Sequence, residues 1–473
     1  MVPVNTNYRY GDDELVYLWD NADAVGVVFH GSFVPNIERI RTRVPRVRTW
    51  LWVDDGAAPC PEWATPYESA AAAAGIGGVG GVGGVGGGER AVPPWGRSGD
   101  DLYMLYTGGT TGMPKGVMWR QDDLVSVLSA SNFAVRFPED GTIDDVRAQI
   151  EKPGLVAIPA CPLMHGTGAF TAFSTLQAGG CVVTLTSRSF DAAELLSTVE
   201  RERVNVLASV GDAFAKPMLR ALEANPGKWD ISSLIAIVSS GVMWSEETKQ
   251  GLLRHHGGML LVDAFSSSEA LGMGQSVSSA GGTTSTAKFM LGDNAIVVTE
   301  DGRKVEAGSD EVGRVAVKGR QPVGYYKDEA KTAATFITVD GERYSMPGDY
   351  ARVEADGSLT LLGRGSVCIN TGGEKVFPEE VEEAVKTHPS VRDAVVVGVP
   401  DERFGEAITA LVEPHDGEAV DEGELVAHVK GRLAAYKAPK RVLRIDTIGR
   451  APNGKVDYKR LRQYAADQIG VTA

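Results

Sequence analysis

The chain has 473 residues, of which 43% are hydrophobic and 23% charged, the balance of a soluble globular protein. That composition excludes disordered, collagen-like and coiled-coil chains, and the length predicts about three domains or subdomains. Lys+Arg number 47 against 62 Asp+Glu, a net charge of −15, so sequence-independent nucleic-acid binding, which rests on phosphate neutralisation, is excluded as a partner class.

Four cysteines, Cys60, Cys161, Cys181 and Cys368, lie far apart with no C-x-x-C pair. They read as reduced thiols of a cytosolic protein, without a zinc site or disulfide framework. The polar start, MVPVNTNYRY, is no signal peptide. The uncharged window 69–88 is mostly Gly and Ala, too weakly apolar to predict an integral membrane segment.

Taken in chain order, Glu14–Asp20 is predicted helical behind Asp12 and Asp13, Ala24–Phe29 extended, Val34–Thr42 helical and Val47–Val53 extended. This βαβ rhythm favours a parallel sheet. It breaks at 70–98, where five alanines lead into a Gly-Gly-Val repeat. Gly75, Gly77 and Gly80 match G-x-G-x-x-G, but any glycine repeat does, and no strand–helix frame surrounds them. Gly75–Gly88 is read as a flexible surface loop.

From 100 to 300 apolar strands (Leu155–Pro159, Val182–Leu185, Val204–Ser209, Ile235–Ser239, Leu260–Val262) alternate with helices (Ala192–Arg203, Ser245–His255). Between 310 and 363 the texture is short strands and Gly turns: Val312–Lys318, Asp349–Glu354 and Leu359–Leu362. Residues 365–473 read as a compact α+β unit. Its helices are Pro378–Thr387, Asp421–Leu433 and Tyr458–Gln468, and its strands Ala394–Val399, Ala407–Val412 and Val442–Ile445.

The sharpest chemical signal is Leu105-Tyr-Thr-Gly-Gly-Thr-Thr-Gly-Met-Pro-Lys115-Gly. Gly108, Gly109 and Gly112 let the backbone turn its N–H groups toward an anion. Thr107, Thr110 and Thr111 add hydroxyls and Lys115 a charge, a set suited to polyphosphate. It is not a Walker A loop, because Pro114 stands before the lysine and Gly116 after it. A plain Gly/Thr surface turn is the competing reading. Further short motifs follow in order. They are Pro162-Leu-Met-His165-Gly-Thr-Gly168, Ser239-Ser-Gly-Val242, Phe265-Ser-Ser-Ser268-Glu269, Gly324-Tyr-Tyr326, Pro347-Gly-Asp349, Gly363-Arg364, Gly372-Gly-Glu-Lys375 and Pro452-Asn-Gly-Lys455.

Together these resemble, over nearly the whole chain, the adenylate-forming superfamily of acyl-CoA synthetases, peptide-synthetase adenylation domains and beetle luciferases. The wording around Val367–Glu382 is most similar to bacterial fatty-acyl and steroid side-chain CoA ligases. The resemblance implies an α/β fold. A large N-terminal domain (1–363), of layered α/β subdomains plus a β-rich subdomain, precedes a small mobile α+β C-terminal domain (365–473). It implies ATP and coenzyme A as co-substrates, Mg²⁺, a small carboxylic acid, and a cytoplasmic setting, with a homodimer left open. The chain starts where the family already has its first helices and strands, so a leading segment is expected to be absent.

Each residue has a physical role and a plainer one. Phe265 can stack on adenine or be core. Asp263 can accept from the base's amine, and Ser240 and Gly241 line the adenine side. Asp349 can accept ribose hydroxyls or merely close a turn, and Arg364 can pair with ribose or phosphate. Glu269 is a hard oxygen ligand for Mg²⁺, with Thr107 and Ser268 hydroxyls near it. His165 can hold the carboxylate, gate its tunnel, or pack. Lys455 can meet charge at the α-phosphate, or be one solvated lysine. Gly372, Gly373 and Glu374 resemble the loop that replaces Lys455 for the CoA step. Lys437 and Lys440, beside Tyr436, can meet CoA phosphates or be surface charges. Departures from the family are Phe265 for Tyr, Ser266 for Gly, and Val367 at the hinge position. The implied activity is ATP-dependent acyl-CoA ligation. Alternatives are an amino-acid activator, an acyl-AMP ligase loading a carrier protein, and a non-catalytic binding module. Met164 and His165, where an Asp for an α-amine would stand, lower the first, and luciferase chemistry stays open.

Overall fold

The computed structural model describes residues 1–73, 96, 98–107, 113–130, 135, 142–150, 152–241, 244–282, 288–371, 374–401, 404–451 and 456–471. The glycine repeat at 75–88, the turn 108–112, Gly372, Gly373 and Lys455 lie outside the described residues. By contacts the chain divides into two compact units, 1–122 with 323–329, and 123–322 with 330–473.

In the first unit, helix Asp12–Asn21 starts where Glu14 reaches back to accept from the Gly11 N–H at 2.8 Å, an acidic first turn that suits a helix N-terminus. Strands Gly26–His30 and Thr49–Val53 pair in parallel, as the βαβ rhythm predicts. Helix Val34–Ile40 connects them, tightening into a 3₁₀ turn at Arg41–Arg43. Leu18, Ile37, Ile40 and Phe29 form the core beneath, against Trp19, Trp50 and Trp63. The strands Leu102–Thr107 and Lys115–Arg120 form an antiparallel hairpin, and Gly324–Tyr325 adds a third strand to it.

The second unit is organised on one long sheet. Four parallel strands run side by side: Val156–Pro159, Val206–Ser209, Ala236–Ser240 and Leu260–Phe265. Their near-continuous apolar runs are what a sheet buried on both faces requires. Helices Ala192–Glu202, Asp212–Ala224 and Glu246–His255 supply Leu195, Leu196, Val199, Met218 and Leu252 to a shared core with Ile158, Leu207, Ile237 and Leu261. The same hydrogen-bonded path continues through antiparallel strands Gly274–Ser278, Lys288–Leu291, Ser358–Arg364, Asp349–Val353 and Gly313–Lys318. The β-rich stretch is thus an extension of the parallel sheet.

The C-terminal stretch carries its own sheet, built on the long hairpin Val391–Asp401 and Gly405–Pro414. Side chains alternate across a strand. Ala394 and Val396 pack toward helices Pro378–Lys386 and Glu422–Lys430, and Val395, Val397 and Val399 toward helix Tyr458–Ile469. Both faces are covered, so the strand reads as a continuous apolar run from Ala394 to Val399.

Candidate functional site

The carboxyl ends of parallel strands are where an open α/β sheet leaves a crevice for ligands. Here that edge carries three of the predicted motifs. Strand Val156–Pro159 runs into Cys161–His165, strand Ala236–Ser240 ends on Gly241, and strand Leu260–Phe265 runs into Ser266–Glu269.

The first loop is set by close packing. His165 caps helix Gly166–Gln177, its N–H donating to the Pro162 carbonyl at 3.1 Å. A Cβ on Gly168 would come within 2.7 Å of the Pro162 oxygen and 2.9 Å of the Cys161 oxygen. Only glycine lets helix and loop approach so closely. Burial pushes the Cys161 thiol up to about 12, so it is an inert packing group beside Val210 and Phe214. Half-buried His165 is the N-cap residue, next to the helix's first N–H groups, and such a helix start favours an anion.

The second loop is tied to its neighbour. Ser239 is buried, and its hydroxyl accepts from the Gly211 N–H at 2.8 Å. Gly241 has φ +92°, in the left-handed region, and turns the chain directly after Ser240. The third loop is a knot of hydroxyls. Ser267 Oγ accepts from the N–H groups of Glu269 and Ala270, at 3.3 and 3.1 Å. Ser266 Oγ, at the family's glycine position, accepts from Gly272 N–H at 3.2 Å. The Ser345 hydroxyl donates to the Glu269 carbonyl at 2.7 Å. Ser268 and Glu269 sit half-buried on this turn.

Residues 1–326 match the AMP-binding enzyme family and residues 380–455 its C-terminal domain. The chain belongs to the AMP-binding enzymes. It is 42% identical to the 3-oxocholest-4-en-26-oate–CoA ligase of Rhodococcus rhodochrous, over 99% of this chain and 82% of that one. It is 38% identical to the medium-chain acyl-CoA ligase Mig of Mycobacterium avium, over 99% and 82%. Among solved structures it resembles the anthranilate CoA ligase AuaEII in complex with anthranoyl-AMP, with a TM-score of 0.78 at 20% identity, covering 99% of this chain and 84% of that one. ATP-bound MatB from Rhodopseudomonas palustris gives 0.77 at 25%, with the same coverage.

The remaining site residues of this AMP-binding enzyme have partners that the sequence did not disclose. Asp263 shares its strand face with Leu261 and Phe265 and is ion-paired to Lys249, a fully buried lysine on helix Glu246–His255. Burial raises the Asp263 carboxyl, and Lys249 opposes that rise. The Phe265 ring is buried, tilted against Phe289 with centroids 5.3 Å apart. Asp349 is buried, and its backbone lies opposite Arg364 in the antiparallel pair. The next pair, Tyr350 with Gly363, is where the predicted hinge begins. Gly363 has φ +127°, and a Cβ there would run into the Glu379 carboxylate.

In the first unit, Thr107 and Lys115 face each other across the hairpin that brackets 108–112. Lys115 Nζ meets Asp328 at 2.5 Å, and the Tyr326 N–H donates to the Gly116 carbonyl at 2.8 Å, so the 324–326 motif is locked beside the glycine-rich signature. In the C-terminal stretch, Lys437 Nζ lies 2.7 and 2.6 Å from the two Glu380 oxygens, both side chains largely covered. Its charge is therefore engaged within the protein. The strand Glu374–Val376 pairs with Ile369–Thr371.

Among the described residues no three His, Cys, Asp or Glu gather as a metal site, and no helix is long and apolar enough to cross a membrane. A single carboxylate among hydroxyls, as at Glu269, nonetheless fits Mg²⁺, which keeps its waters and is bound through one or two carboxylates plus substrate phosphates.

Proposed function

We propose that this AMP-binding enzyme is an AMP-forming acyl-CoA ligase acting on fatty or steroid side-chain carboxylic acids, the acids of its named relatives. The observation that carries the reading is the convergence of His165, Ser240–Gly241 and Ser268–Glu269 on the carboxyl edge of one parallel sheet. A carboxylate oxygen attacks the α-phosphorus of ATP, the new O–P bond forms, and pyrophosphate leaves. The thiol of CoA then loses its proton and its sulfur attacks the acyl carbon, releasing AMP.

The chain's own groups divide this work. The glycine-rich stretch 108–112, with the flanking Thr107 and Lys115, cradles the phosphates. Ser240, Gly241 and Phe265 form the wall behind the adenine, and Asp349 and Arg364 hold the ribose. The start of helix Gly166–Gln177 and His165 orient the acid's carboxylate. Glu269, with the Ser268 hydroxyl beside it, would hold Mg²⁺, whose charge would offset that of the phosphates. Lys455 meets the charge that builds on the α-phosphate, a contribution of about 10²–10³ in rate for one preorganised donor. Gly372, Gly373 and Glu374 serve the thiol step after the small domain at 365–473 rotates. Lys437 supports that domain through Glu380, a role its pairing favours over direct contact with CoA.

Apolar acids should be preferred, gaining roughly 0.8 kcal/mol per buried CH₂. Pyrophosphate exchange into ATP, measured across short, long, aromatic and steroidal acids, tests this. Exchange that rises with apolar size, followed by thioester formation with free CoA, is expected. Exchange driven best by amino acids or dicarboxylates, or an acyl-adenylate that passes only to a carrier protein, would contradict it.

A further inference from the structure

Described residues on both sides of the Pro452–Lys455 motif are tied to the rest of the protein. On the leading side, Arg450 forks onto Asp393, with Nε donating at 2.6 Å and Nη2 at 2.9 Å, and Nη2 also reaches the Ala394 carbonyl at 3.4 Å. On the trailing side, the Tyr458 hydroxyl donates to Glu382 Oε1 at 3.0 Å. That oxygen also accepts from the Val396 N–H at 2.9 Å, and Glu382 is only 4% exposed. A third tie joins the two sides directly, since Arg460 Nη2 donates to the Ile448 carbonyl at 2.6 Å. Ile448 is held in turn by Glu413, whose Oε2 accepts from its N–H at 2.7 Å. Asp457 closes the trailing end by capping helix Tyr458–Ile469, accepting from the Arg460 N–H at 2.9 Å.

Asp393, Ala394 and Val396 belong to one strand, and Glu382 to the helix packed on it. Arg450 and Tyr458, on the two sides of the motif, are therefore tied to the same strand and to the helix packed on it. The charges help: burial raises the Glu382 carboxyl, while Arg450 and the other cations near it oppose that rise. Burial would raise Asp393 too, but the Arg450 fork outweighs it and holds that carboxyl low. Apolar packing would hold the same elements with less desolvation cost. Directional polar ties of this kind fix register.

We infer that Arg450, Tyr458 and Arg460, which flank it in sequence, are positioning residues for Lys455 in the adenylation half-reaction. The inference rests on the proposed role of Lys455 in that half-reaction. Misplacing a catalytic group by about 1 Å can cost about 10²-fold, so loss of one tie should cost about tenfold.

The test measures exchange and single-turnover thioester formation from supplied acyl-adenylate separately, using the full chain. Tyr458→Phe keeps the ring and removes one hydroxyl. Arg460→Met removes the cross-tie from an exposed side chain. Each should lower the exchange kcat about tenfold, leave KM for ATP and acid within about twofold, and leave the thioester step unchanged. In a Lys455→Ala background neither should lower exchange further, because a misplaced alanine loses nothing. Equal slowing of both half-reactions, further loss in that background, or full-rate exchange in both single variants would overturn the inference. Parent-rate exchange by Lys455→Ala itself would instead overturn the underlying role of Lys455.

Discussion

Asp263 shows how a residue's chemistry is decided by a neighbour far away in sequence. Its type and place before Phe265 mark it as a site residue, yet the partner, Lys249, stands 14 positions earlier and is fully buried. One sign was present. Lys249 shares its helix face with Leu252 and Leu253, at i+3 and i+4, which is the buried face. A lysine there needs an acid. Breaking a buried pair by removing one partner costs about 3–5 kcal/mol, so Lys249→Met should destabilise the fold by that order at neutral pH, read by chemical denaturation. The sign with pH is set by burial, which lifts the Asp263 carboxyl in the folded state. A raised carboxyl favours folding below its unfolded pKa, and that favour is lost as pH rises through the folded value. The penalty of Lys249→Met should therefore shrink as pH falls and Asp263 protonates. A penalty that is constant, or that grows in acid, would show that the pair is not what holds Asp263. Lys115 and Lys437 teach the same lesson: the first read as a charge for polyphosphate and the second as one for CoA phosphates or the surface, and each is matched by an acid, Asp328 or Glu380, that only the fold brings near.

At the level of elements, the sheet order was readable where apolar runs alternate with amphipathic helices. Strands Val206–Ser209, Ala236–Ser240 and Leu260–Phe265 fall within a few residues of their predicted places. Among the helices not foreseen, two adjoin the carboxyl edge of the sheet. Gly166–Gln177 begins Gly-Thr-Gly, which reads as loop, and Asp212–Ala224 contains Pro217, which reads as a break. The first follows directly on a site loop and the second on Val210–Gly211, whose Gly211 N–H meets Ser239, because strand, loop and helix are consecutive at a carboxyl edge. The glycines are explained by space rather than flexibility. Gly168 has backbone oxygens at 2.7 and 2.9 Å from where a Cβ would sit, and overpacking of this kind costs about 1–3 kcal/mol. Gly168→Ala should lower the melting temperature and shift the 162–168 loop, raising KM for the acid more than KM for ATP. An unchanged melting temperature together with unchanged KM values would show that the close approach is not needed. The long hairpin Val391–Pro414 extends past its predicted ends because both its faces are covered, so no polar alternation marked where it stops.

Across the whole molecule, the ordered motifs made the family legible, since each is a short loop whose chemistry depends on few residue types. The sheet topology explains why motifs at 162–168, 239–242 and 265–269, scattered along the chain, form one edge. What stayed hidden were the braces around residues 451–457, which join positions such as Arg450 to Asp393 and Tyr458 to Glu382 across 57 and 76 residues. No periodicity links such pairs. The central claim is that the acid becomes an acyl-adenylate before it becomes a thioester. If a carboxylate oxygen attacks the α-phosphorus and AMP later departs from the acyl carbon, that oxygen leaves with AMP. The direct measurement is a reaction with acid labelled with ¹⁸O in its carboxylate, ATP and CoA, followed by mass spectrometry of the products. One labelled oxygen per turnover in AMP, and none in pyrophosphate, is the predicted result. Label in inorganic phosphate with ADP as the product, or thioester formed with unlabelled AMP, would contradict it.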